Sequence, residues 1–394
     1  MIIVGCGIGG SSMALALARL NIPSLLLEQA PQIRETGAGI QLCPNVFKMF
    51  DHLAILDQMK NIAIFPDNLV YVDGINGDRF LTVGLKEEMM KRFNYPYGVF
   101  HREDLLKKLA DICRTYSQIE IRTATRVQKI SEESDHVTVE TEDGRKWEGD
   151  IVIGCDGLWS VVREHILGKE EPHFTHHVAY RGVVSLNELP SHLKPNNVVH
   201  WVRDNSHLVH YPIGVQGLLN IVAIIQTDKN YPLNDVTGNP EELYSRFEGS
   251  QPEMLELLKK VNPNKKWLLY DREPVVNWFK GRVVMLGDAA HPTLPYLTQG
   301  AGMAIEDAVV LAQRLMDNEF NYEAAFKEYQ EERYLRTGFV QLMSRIFGLS
   351  HHSQGIAREL RDDMVKRKSS EEIYEWLGKL YKGVDVHKKA VSHV

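Results

Sequence analysis

The chain has 394 residues, of which 44% are apolar and 25% are charged, and its formal net charge is −7. These values are typical of a globular protein with two sizeable cores, and the absence of a long basic block argues against a nucleic-acid partner. The scattered cysteines, Cys6, Cys43, Cys113 and Cys155, lack the spacing of a zinc site or a disulfide framework, so we expect no bound metal. Met1 opens directly into an apolar strand, and no apolar run is long enough to span a membrane. We therefore expect a cytoplasmic protein without a membrane partner.

A glycine-rich turn follows the first predicted strand. An apolar run leads into the sequence GCGIGG at 5–10, and a stretch with helical spacing comes next. Gly5 permits the tight turn, Gly7 lets the backbone approach a pyrophosphate, and Gly10 lets the helix lie close to the sheet. The second apolar strand ends in Glu28, at the distance expected for an acid that binds a ribose hydroxyl. The pattern predicts dinucleotide binding.

The remaining chain interleaves two kinds of pattern. We expect helices at 46–59 and 240–261, strands at 68–73 and 80–83, and one antiparallel sheet from the strand-like segments between 178 and 226. The prediction is an α/β fold in which a Rossmann-like nucleotide-binding domain is interleaved with a substrate domain built on an antiparallel β-sheet, followed by C-terminal helices. The expected limits are 1–65, 100–176 and 280–347 for the first domain, 66–99 and 177–279 for the second, and 348–394 for a helical tail.

Two further signatures lie at predicted strand ends. Asp156-Gly157 follows one strand, and Gly287-Asp288 follows another shortly before the helix start at 299–303. Asp288 can accept hydrogen bonds from ribityl hydroxyls, and the free N–H groups of the helix start can stabilise the anionic edge of a reduced flavin. Asp288 alone would indicate no more than a capped turn, but the signatures together predict FAD. A second strand–GxGxxG–helix unit does not occur, so we expect NADH or NADPH to bind transiently as a co-substrate.

The three signatures occur in this order, and Ser160 and Arg163 follow Asp156-Gly157. In this arrangement the chain resembles the single-component (class A) FAD-dependent aromatic hydroxylases. The resemblance covers essentially the whole chain ahead of the tail. The branch containing 3-hydroxybenzoate 6-hydroxylase, 6-hydroxynicotinate 3-monooxygenase and salicylate hydroxylase is similar at Gly37-Ala38-Gly39-Ile40, His101-Arg102, Ala179-Tyr180-Arg181-Gly182, Tyr270-Asp271-Arg272-Glu273-Pro274 and His291-Pro292. The resemblance implies a GR2-type FAD-binding domain and a monooxygenase of aromatic hydrocarbon catabolism. Its flavin is reduced, reacts with O2 to a C4a-hydroperoxide and delivers one oxygen atom to a ring. It also suggests a homodimer.

The same resemblance assigns residues to the cofactor. Gly10 and Glu28 would hold the ADP moiety, Arg102 the pyrophosphate or ribityl region, and Val127 the adenine through its backbone. The complete expected set is Gly5, Gly7, Gly10, Glu28, Gln29, Gly39, Arg102, Val127, Asp156, Arg163, Asp288, Pro292, Gly300, Ala301 and Gly302. Asp156 and Arg163 belong to a motif that serves both FAD and NAD(P)H in the family. Their alternative is a strand-end turn and a helix-surface charge.

The catalytic residues are expected on the middle sheet. In the strand 206–212, alternation places His207 and Tyr211 on one face and His210 on the other. A phenol accepts oxygen better when it is deprotonated, so we expect His207, acting with Tyr211, to be the catalytic base. The branch resembles this arrangement with its own base and substrate contact four residues apart. An isolated histidine would as readily be structural, and we expect this of His210.

Gln41, Asp73, Tyr97 and Pro295 match substrate-pocket positions of the branch, although Asp73 and Tyr97 could equally be ordinary strand residues. Gln41 resembles the 3-hydroxybenzoate enzyme, whereas Pro295 resembles the 6-hydroxynicotinate enzyme. The expected substrate is therefore a small hydroxylated aromatic acid, first 3-hydroxybenzoate, converted to gentisate, with 6-hydroxynicotinate or salicylate as alternatives. A flavoprotein oxidase or a non-hydroxylating FAD-binding protein is the alternative of another class. The pairs His176-His177 and His351-His352 lack metal-ligand spacing with acids, and we expect them to be solvated or at an interface.

Overall fold

The computed structural model describes residues 1–34, 38–193, 196–233 and 235–386, so the motif residue Gly37 and the end of the expected tail, 387–394, lie outside the described residues. The strands are β1 (Ile2–Val4), β2 (Ser24–Leu27), β3 (Gly39–Leu42), β4 (Asn68–Asp73), β5 (Arg79–Gly84), β6 (Gly98–His101), β7 (Ile119–Arg122), β8 (Val127–Glu132), β9 (Val137–Thr141), β10 (Lys146–Gly149), β11 (Val152–Gly154), β12 (His173–Ser185), β13 (Asn197–Arg203), β14 (Ser206–Ile213), β15 (Leu218–Gln226), β16 (Trp267–Asp271), β17 (Phe279–Lys280) and β18 (Val283–Met285). The helices are α1 (Ile8–Arg19), α2 (Pro44–His52), α3 (Leu56–Lys60), α4 (Glu87–Phe93), α5 (Arg102–Cys113), α6 (Val161–Leu167), α7 (Pro240–Ser245), α8 (Pro252–Leu258), α9 (Gly300–Asp317), α10 (Tyr322–His351), α11 (Gly355–Lys366) and α12 (Ser370–Tyr381). Short 3-10 turns at Gly287–Ala289 and Pro295–Leu297 lie close to the site described below.

A six-stranded sheet in the order β17-β18-β11-β1-β2-β7 forms the first layer. Its central strands are short apolar runs that are buried, as expected for parallel strands covered on both faces. The pairs β1–β2, β1–β11 and β11–β18 are parallel. The carboxyl ends of these strands therefore meet at one edge, which brings together the glycine turn, Glu28, Asp156 and Asp288.

A seven-stranded sheet in the order β16-β12-β15-β14-β13-β4-β5 forms the second layer. Most of its neighbours are antiparallel, whereas β13 and β4 run parallel. Its strands come from two separate parts of the chain, residues 68–84 and 173–271. The two sheets together confirm the predicted α/β fold with an antiparallel substrate layer, while the exact domain limits stay a prediction.

Two expected helices are interrupted. The segment predicted as one helix at 46–59 forms α2 and α3, because Ala54 between them has a left-handed φ of 56°. The segment 240–261 forms α7 and α8, because Gly249 has a φ of 76° and Pro252 starts a new helix. Both interruptions are local breaks that the apolar spacing does not report.

Buried ion pairs join α9 to α10. Arg333 bonds Asp307 at 2.7 Å and Glu306 at 2.9 Å, and Arg336 bonds Glu306 at 2.8 Å. Burial alone would raise the pKa of Glu306, but Arg336 and Arg333 hold it down at about 2. Asp307 also accepts the N–H of Gly287 at 2.9 Å, so the network fixes the loop that carries Asp288. Removing one partner of such a buried pair typically costs about 3–5 kcal/mol.

The long helix α10 returns to the seven-stranded sheet at its C-terminal end, where His351 and His352 are buried. Helix α12 packs Tyr374, Leu377 and Tyr381 into the same apolar cluster as Val209 and Tyr211. Within the described ranges, none of the helices combines the length and the apolar character needed to cross a membrane.

Candidate active site

The glycine turn has the geometry of a phosphate-binding helix start. Gly5 has a φ of 97°, and a Cβ on Gly10 would overlap the carbonyl oxygen of Gly5. A Cβ on Gly7, by contrast, would meet nothing within 4 Å. In the part of the chain that the structure describes, no side chain caps the N-terminus of α1. The first turn therefore leaves free N–H groups beside open space, which is a ready-made anion site.

The end of β2 lies next to this turn. The N–H of Cys6 donates to Glu28 Oε2 at 2.9 Å, and the N–H of Ala30 donates to Oε1 at 2.8 Å. The N–H of Thr125 donates to the carbonyl of Glu28 at 2.8 Å, which brings Gln29 and Val127 to the same end of the sheet. Glu28, Gln29 and Val127 are thus grouped where the ADP part of a dinucleotide is expected.

A cavity of about 240 Å³ lies between the carboxyl edge of the six-stranded sheet and one face of the seven-stranded sheet. Its first wall carries five of the residues expected to bind the cofactor: Gly39, Arg102, Asp288, Gly300 and Ala301. Among the described residues, no side chain caps the N-terminus of α9 at Gly300, so its N–H groups are open to this wall. The volume is somewhat below the range for small-molecule sites, about 300–1,000 Å³.

Asp288 tests whether these residues fit a flavin. Burial raises the pKa of the Asp288 carboxyl, while the charges of His291 and Arg102 oppose this shift. Its side chain nevertheless remains solvent-accessible, because it faces the cavity. Within the described ranges it makes no hydrogen bond. A cavity-facing carboxylate without a partner among the described residues, opposite an uncapped helix start, fits a group that brings both hydroxyl donors and an anionic edge, as FAD does.

Asp156 and Arg163 support the site from behind. Asp156 accepts the Ser160 hydroxyl at 2.6 Å and the N–H of Val161 at 2.8 Å, so it caps α6 as a strand-end turn would. Arg163 is 2% exposed and donates to the carbonyls of Ala289 and Ala290, both at 3.0 Å. The alternative of a helix-surface charge is therefore wrong for Arg163. It holds the loop that follows Asp288.

Two further residues of the expected cofactor set lie in packed backbone. The carbonyl of Pro292 accepts the side-chain amide of Gln341 at 3.0 Å. A Cβ on Gly302 would approach Val46 Cγ2 to 2.9 Å, so only glycine fits here without a shift. Their roles toward the cofactor stay predictions.

The second wall of the cavity follows from the register of the large sheet. Two rows of directly opposite residues run across β14, β15 and β12. One row consists of His207, Ile224 and Ala179, and the next consists of Val209, Val222 and Arg181. Directly opposite residues share a face, and members of both rows line the cavity together with Tyr211 and Asn220. His210 points to the other face, where it lines a separate cleft. The predicted alternation of this strand is confirmed.

His207 and Tyr211 have different partners. His207 Nδ1 lies 2.8 Å from His352 Nε2. Tyr211 hydrogen-bonds Gln41, which also accepts the hydroxyl of Tyr97. The cooperation expected between His207 and Tyr211 is thus not a direct hydrogen bond.

The expected substrate residues separate into two groups. Gln41 and Pro295 line the cavity, and Tyr97 reaches it through Gln41. Asp73 does not lie there, because its Oδ1 accepts the N–H groups of Ile75 and Asn76 at 2.7 and 3.1 Å and closes the turn after β4. A substrate contact for Asp73 is not supported by this placement.

Three of the four paired histidines are buried rather than solvated, which corrects the expectation from sequence. His177, His351 and His352 are 4–5% exposed, whereas His176 is exposed. They surround His207 in an aromatic cluster with Tyr296. Neither hydropathy nor spacing signals this cluster, since its members come from β12, β14, the end of α10 and a 3-10 turn.

Sequence reasoning also assigned no role to Arg181 or Asn220. Arg181 lines the cavity and its guanidinium lies 4.9 Å from the ring centre of Trp267. Asn220 accepts the N–H of Gly39 at 3.1 Å. Alternation along β12 and β15 could have placed both on the face of His207, had the strand pairing been known.

Comparisons with known proteins agree with this site. The chain matches the FAD binding domain family over residues 1–338. It is 38% identical to 3-hydroxybenzoate 6-hydroxylase of Klebsiella oxytoca over 95% of each chain, and 32% identical to 6-hydroxynicotinate 3-monooxygenase of Pseudomonas fluorescens over 87% of this chain and 89% of that one. The crystal structure of Klebsiella pneumoniae HpxO complexed with FAD and uric acid superposes with a TM-score of 0.84 at 25% identity, covering 97% of this chain and 96% of that chain. The chain belongs to the FAD binding domain family and, within it, to the FAD-dependent aromatic hydroxylases.

Proposed function

We propose that this enzyme hydroxylates a small aromatic acid that already carries a ring hydroxyl, with 3-hydroxybenzoate, converted to gentisate, as the first candidate. The names of the relatives that share 35–39% identity over nearly the whole chain support this choice. 6-Hydroxynicotinate and salicylate are the alternatives. Bound FAD supplies the redox chemistry that activates dioxygen, with NADH or NADPH as the reductant. Dioxygen as second substrate, a homodimer and a cytoplasmic location belong to the same proposal.

The observation that carries the proposal is the pairing of Arg181 with His207 on one apolar face. Between and around them lie Ala179, Val209 and Val222. Arg181 on β12 and His207 on β14 are two strands apart across the sheet and two residues apart along the strand direction. This offset corresponds to about 12 Å between their Cα atoms. Both residues line the cavity, and we infer that one aromatic ring binds between them.

Arg181 is the cation that we assign to the substrate carboxylate. Burial lowers its pKa, and the positive charge of Arg102 lowers it further. Arg102 faces Asp288 on the flavin side, whereas Arg181 lies on the substrate wall. A carboxylate that binds Arg181 would relieve the repulsion between the two arginines. A hydrogen bond between such charged groups contributes about 1.5–3 kcal/mol.

His207 is the group that we assign to the phenol proton. Its Nδ1 is engaged with His352, which leaves Nε2 for the substrate. Burial lowers the pKa of His207 well below its usual range, so the imidazole is neutral and can accept a proton. Tyr211 stands four residues along the strand, about 13 Å away. We assign it a contact with the substrate at a different point, next to Gln41.

A substrate panel tests the proposal. The FAD-loaded enzyme is supplied with NADH or NADPH and with 3-hydroxybenzoate, 6-hydroxynicotinate, salicylate or unsubstituted benzoate, and product mass, ring position and peroxide are measured. We expect hydroxylated product from one of the three hydroxylated acids. Reductant consumption that yields only hydrogen peroxide with every acid would instead indicate an oxidase or a non-hydroxylating flavoprotein.

A matched pair of variants tests the carboxylate contact. Arg181→Met removes the charge but keeps much of the side-chain length, and we expect KM for the acid to rise by about tenfold to a hundredfold. Arg181→Lys retains the positive charge and should fall between wild type and Arg181→Met. Equal KM values in all three proteins would contradict the assignment of Arg181.

A further inference from the structure

A continuous chain of hydrogen bonds runs behind the cavity. His207 Nδ1 lies 2.8 Å from His352 Nε2, His352 Nδ1 lies 3.3 Å from His177 Nε2, and His177 Nδ1 lies 2.7 Å from the hydroxyl of Tyr296. The three histidines are 3–5% exposed and Tyr296 is 7% exposed. Both ends of the chain, His207 and Tyr296, line the cavity. These four residues are called the histidine chain below.

The histidine chain is not a metal site. The described part of the protein contains no group of histidine, cysteine or acid side chains arranged to hold an ion. A nitrogen–nitrogen separation of 2.8 Å, as between His207 and His352, is that of a hydrogen bond. Each of the two contacts between imidazoles therefore needs one protonated and one unprotonated nitrogen.

This requirement restricts the tautomers. If His207 Nε2 is to accept a proton from substrate, its Nδ1 carries hydrogen and donates to His352 Nε2. His352 Nδ1 then donates to His177 Nε2, and His177 Nδ1 donates to the Tyr296 oxygen. Tyr296 is left to donate its own hydrogen toward the cavity. All links then point in one direction, from His207 to Tyr296.

The surroundings disfavour a charge on any of these rings. Burial lowers the pKa of His207 and His352 well below the usual value, and lowers that of His177 to about 4. The titratable and charged groups that face the histidine chain are His176 on β12, His200 on β13, His351 on α10 and Arg361 on α11. Acids are absent from this set of described residues, so an imidazolium formed at His207 would have no carboxylate among them to balance its charge.

We propose that His352 and His177 relay the substrate's phenol proton from His207 to the hydroxyl of Tyr296, so that the phenol is ionised without leaving a charge on any histidine. The proposal rests on the proposed function, because it needs a phenolic substrate at His207.

The proton balance of the relay is complete. The phenol O–H breaks as an N–H forms at His207 Nε2, and the hydrogens on Nδ1 of His207, His352 and His177 each move one link onward. Tyr296 receives the last of them and passes its own hydrogen to a water molecule in the cavity. The products are a phenolate and a protonated water. The reverse shift, when the product phenolate is reprotonated, restores the starting tautomers.

A chromophoric ligand tests the relay without turnover. The probe is 3-hydroxy-4-nitrobenzoate, whose absorption differs between phenol and phenolate, bound to the FAD-loaded enzyme over a range of pH. The decisive variant is Tyr296→Phe, which keeps the ring and removes the exit hydroxyl. His352→Gln and His177→Gln break the two inner links, and His207→Ala removes the base.

The relay predicts that Tyr296→Phe, His352→Gln and His177→Gln each shift the ionisation midpoint of the bound probe upward by about one pH unit or more, a tenfold smaller phenolate-to-phenol ratio at a given pH. The matched control is His351→Gln. His351 is equally buried and adjacent to His352, but its Nδ1 donates to the carbonyl of Phe347 at 2.6 Å, outside the histidine chain. We expect its midpoint to stay near the wild-type value.

The outcomes separate the two proposals. The relay would be overturned if Tyr296→Phe and any folded variant of His352 or His177 kept the wild-type midpoint while His207→Ala shifted it. His207 would then be an isolated base. A shift in His351→Gln as large as that in His352→Gln would also overturn it, because general loss of packing would then be the cause. If the wild-type enzyme fails to bind the probe and the hydroxylated acids of the substrate panel, the proposed function fails and the relay fails with it.

Discussion

Gly7→Ala and Gly10→Ala should affect different properties of the protein, FAD binding and stability respectively, although both glycines belong to the same turn. A Cβ on Gly10 would overlap the carbonyl oxygen of Gly5, far inside the 3.0 Å below which Cβ contacts essentially do not occur. The partner is backbone and cannot rotate away, so the turn itself must open. A Cβ on Gly7 meets nothing within 4 Å of protein and leaves the turn intact. Its space is the one that a pyrophosphate needs.

The magnitudes follow from these contacts. Overpacking typically costs about 1–3 kcal/mol, and we expect Gly10→Ala to lie at the upper end of that range. Gly7→Ala should change the stability of the protein without FAD by no more than a few tenths of a kcal/mol, because the cost of alanine at the N-cap of α1, about 0.5–1 kcal/mol, is offset by the lower entropy of the unfolded chain, about 0.4–1 kcal/mol. It should weaken FAD binding by about tenfold to a hundredfold, because a displaced pyrophosphate loses hydrogen bonds worth about 1.5–3 kcal/mol.

Urea unfolding of the FAD-free proteins and fluorescence titration with FAD measure the two effects separately. The expected result is a destabilised Gly10→Ala protein, and a Gly7→Ala protein of normal stability with weak FAD binding. A destabilised FAD-free Gly7→Ala protein, or one that binds FAD as tightly as wild type, would refute the assignment of this space to the cofactor.

Three further predictions concern the cavity and its histidines. Asp288→Ala should weaken FAD binding by about 1.5–3 kcal/mol in the same titration, because ribityl hydroxyls lose a charged acceptor, and unchanged affinity would remove that role. His207→Ala should slow hydroxylation by about 10²–10⁴-fold, keep FAD bound and divert reductant into hydrogen peroxide. His210→Ala should have a much smaller effect on hydroxylation. A larger loss in His210→Ala than in His207→Ala would contradict the strand register. Burial lowers the pKa of His177, His210 and His351 to about 4. Below about pH 6.5 the unfolded chain binds protons that the folded chain does not. Each of these histidines should therefore reduce the free energy of unfolding by about 1.4 kcal/mol per pH unit down to about pH 4. Urea midpoints that stay constant from pH 7 to pH 5 would contradict this.

The parts of the fold that were predictable from sequence are those set by local rules. The glycine turn depends on the conformational freedom of Gly5 and on the close approach at Gly10, both of which are visible in six consecutive residues. The faces of β14 were predictable because alternation needs no knowledge of neighbours. The family signatures then indicated which acids stand at the strand ends.

The histidine chain was not predictable in this way. His207 and His352 are 145 residues apart, and His352 and His177 are 175 residues apart. Their contact depends on how far α10 runs back across the large sheet, and no local pattern encodes that length. The same limit explains Arg163, whose burial depends on the loop at Ala289 and Ala290 rather than on its own helix.

Isotope labelling with ¹⁸O2 tests the central claim most directly. The FAD-loaded enzyme is supplied with reductant, labelled dioxygen and 3-hydroxybenzoate, and the product is analysed by mass and ring position. We predict gentisate that carries one labelled oxygen atom for each reductant molecule consumed in coupled turnover. Label that appears only in hydrogen peroxide, with 3-hydroxybenzoate and with each alternative acid, would contradict it.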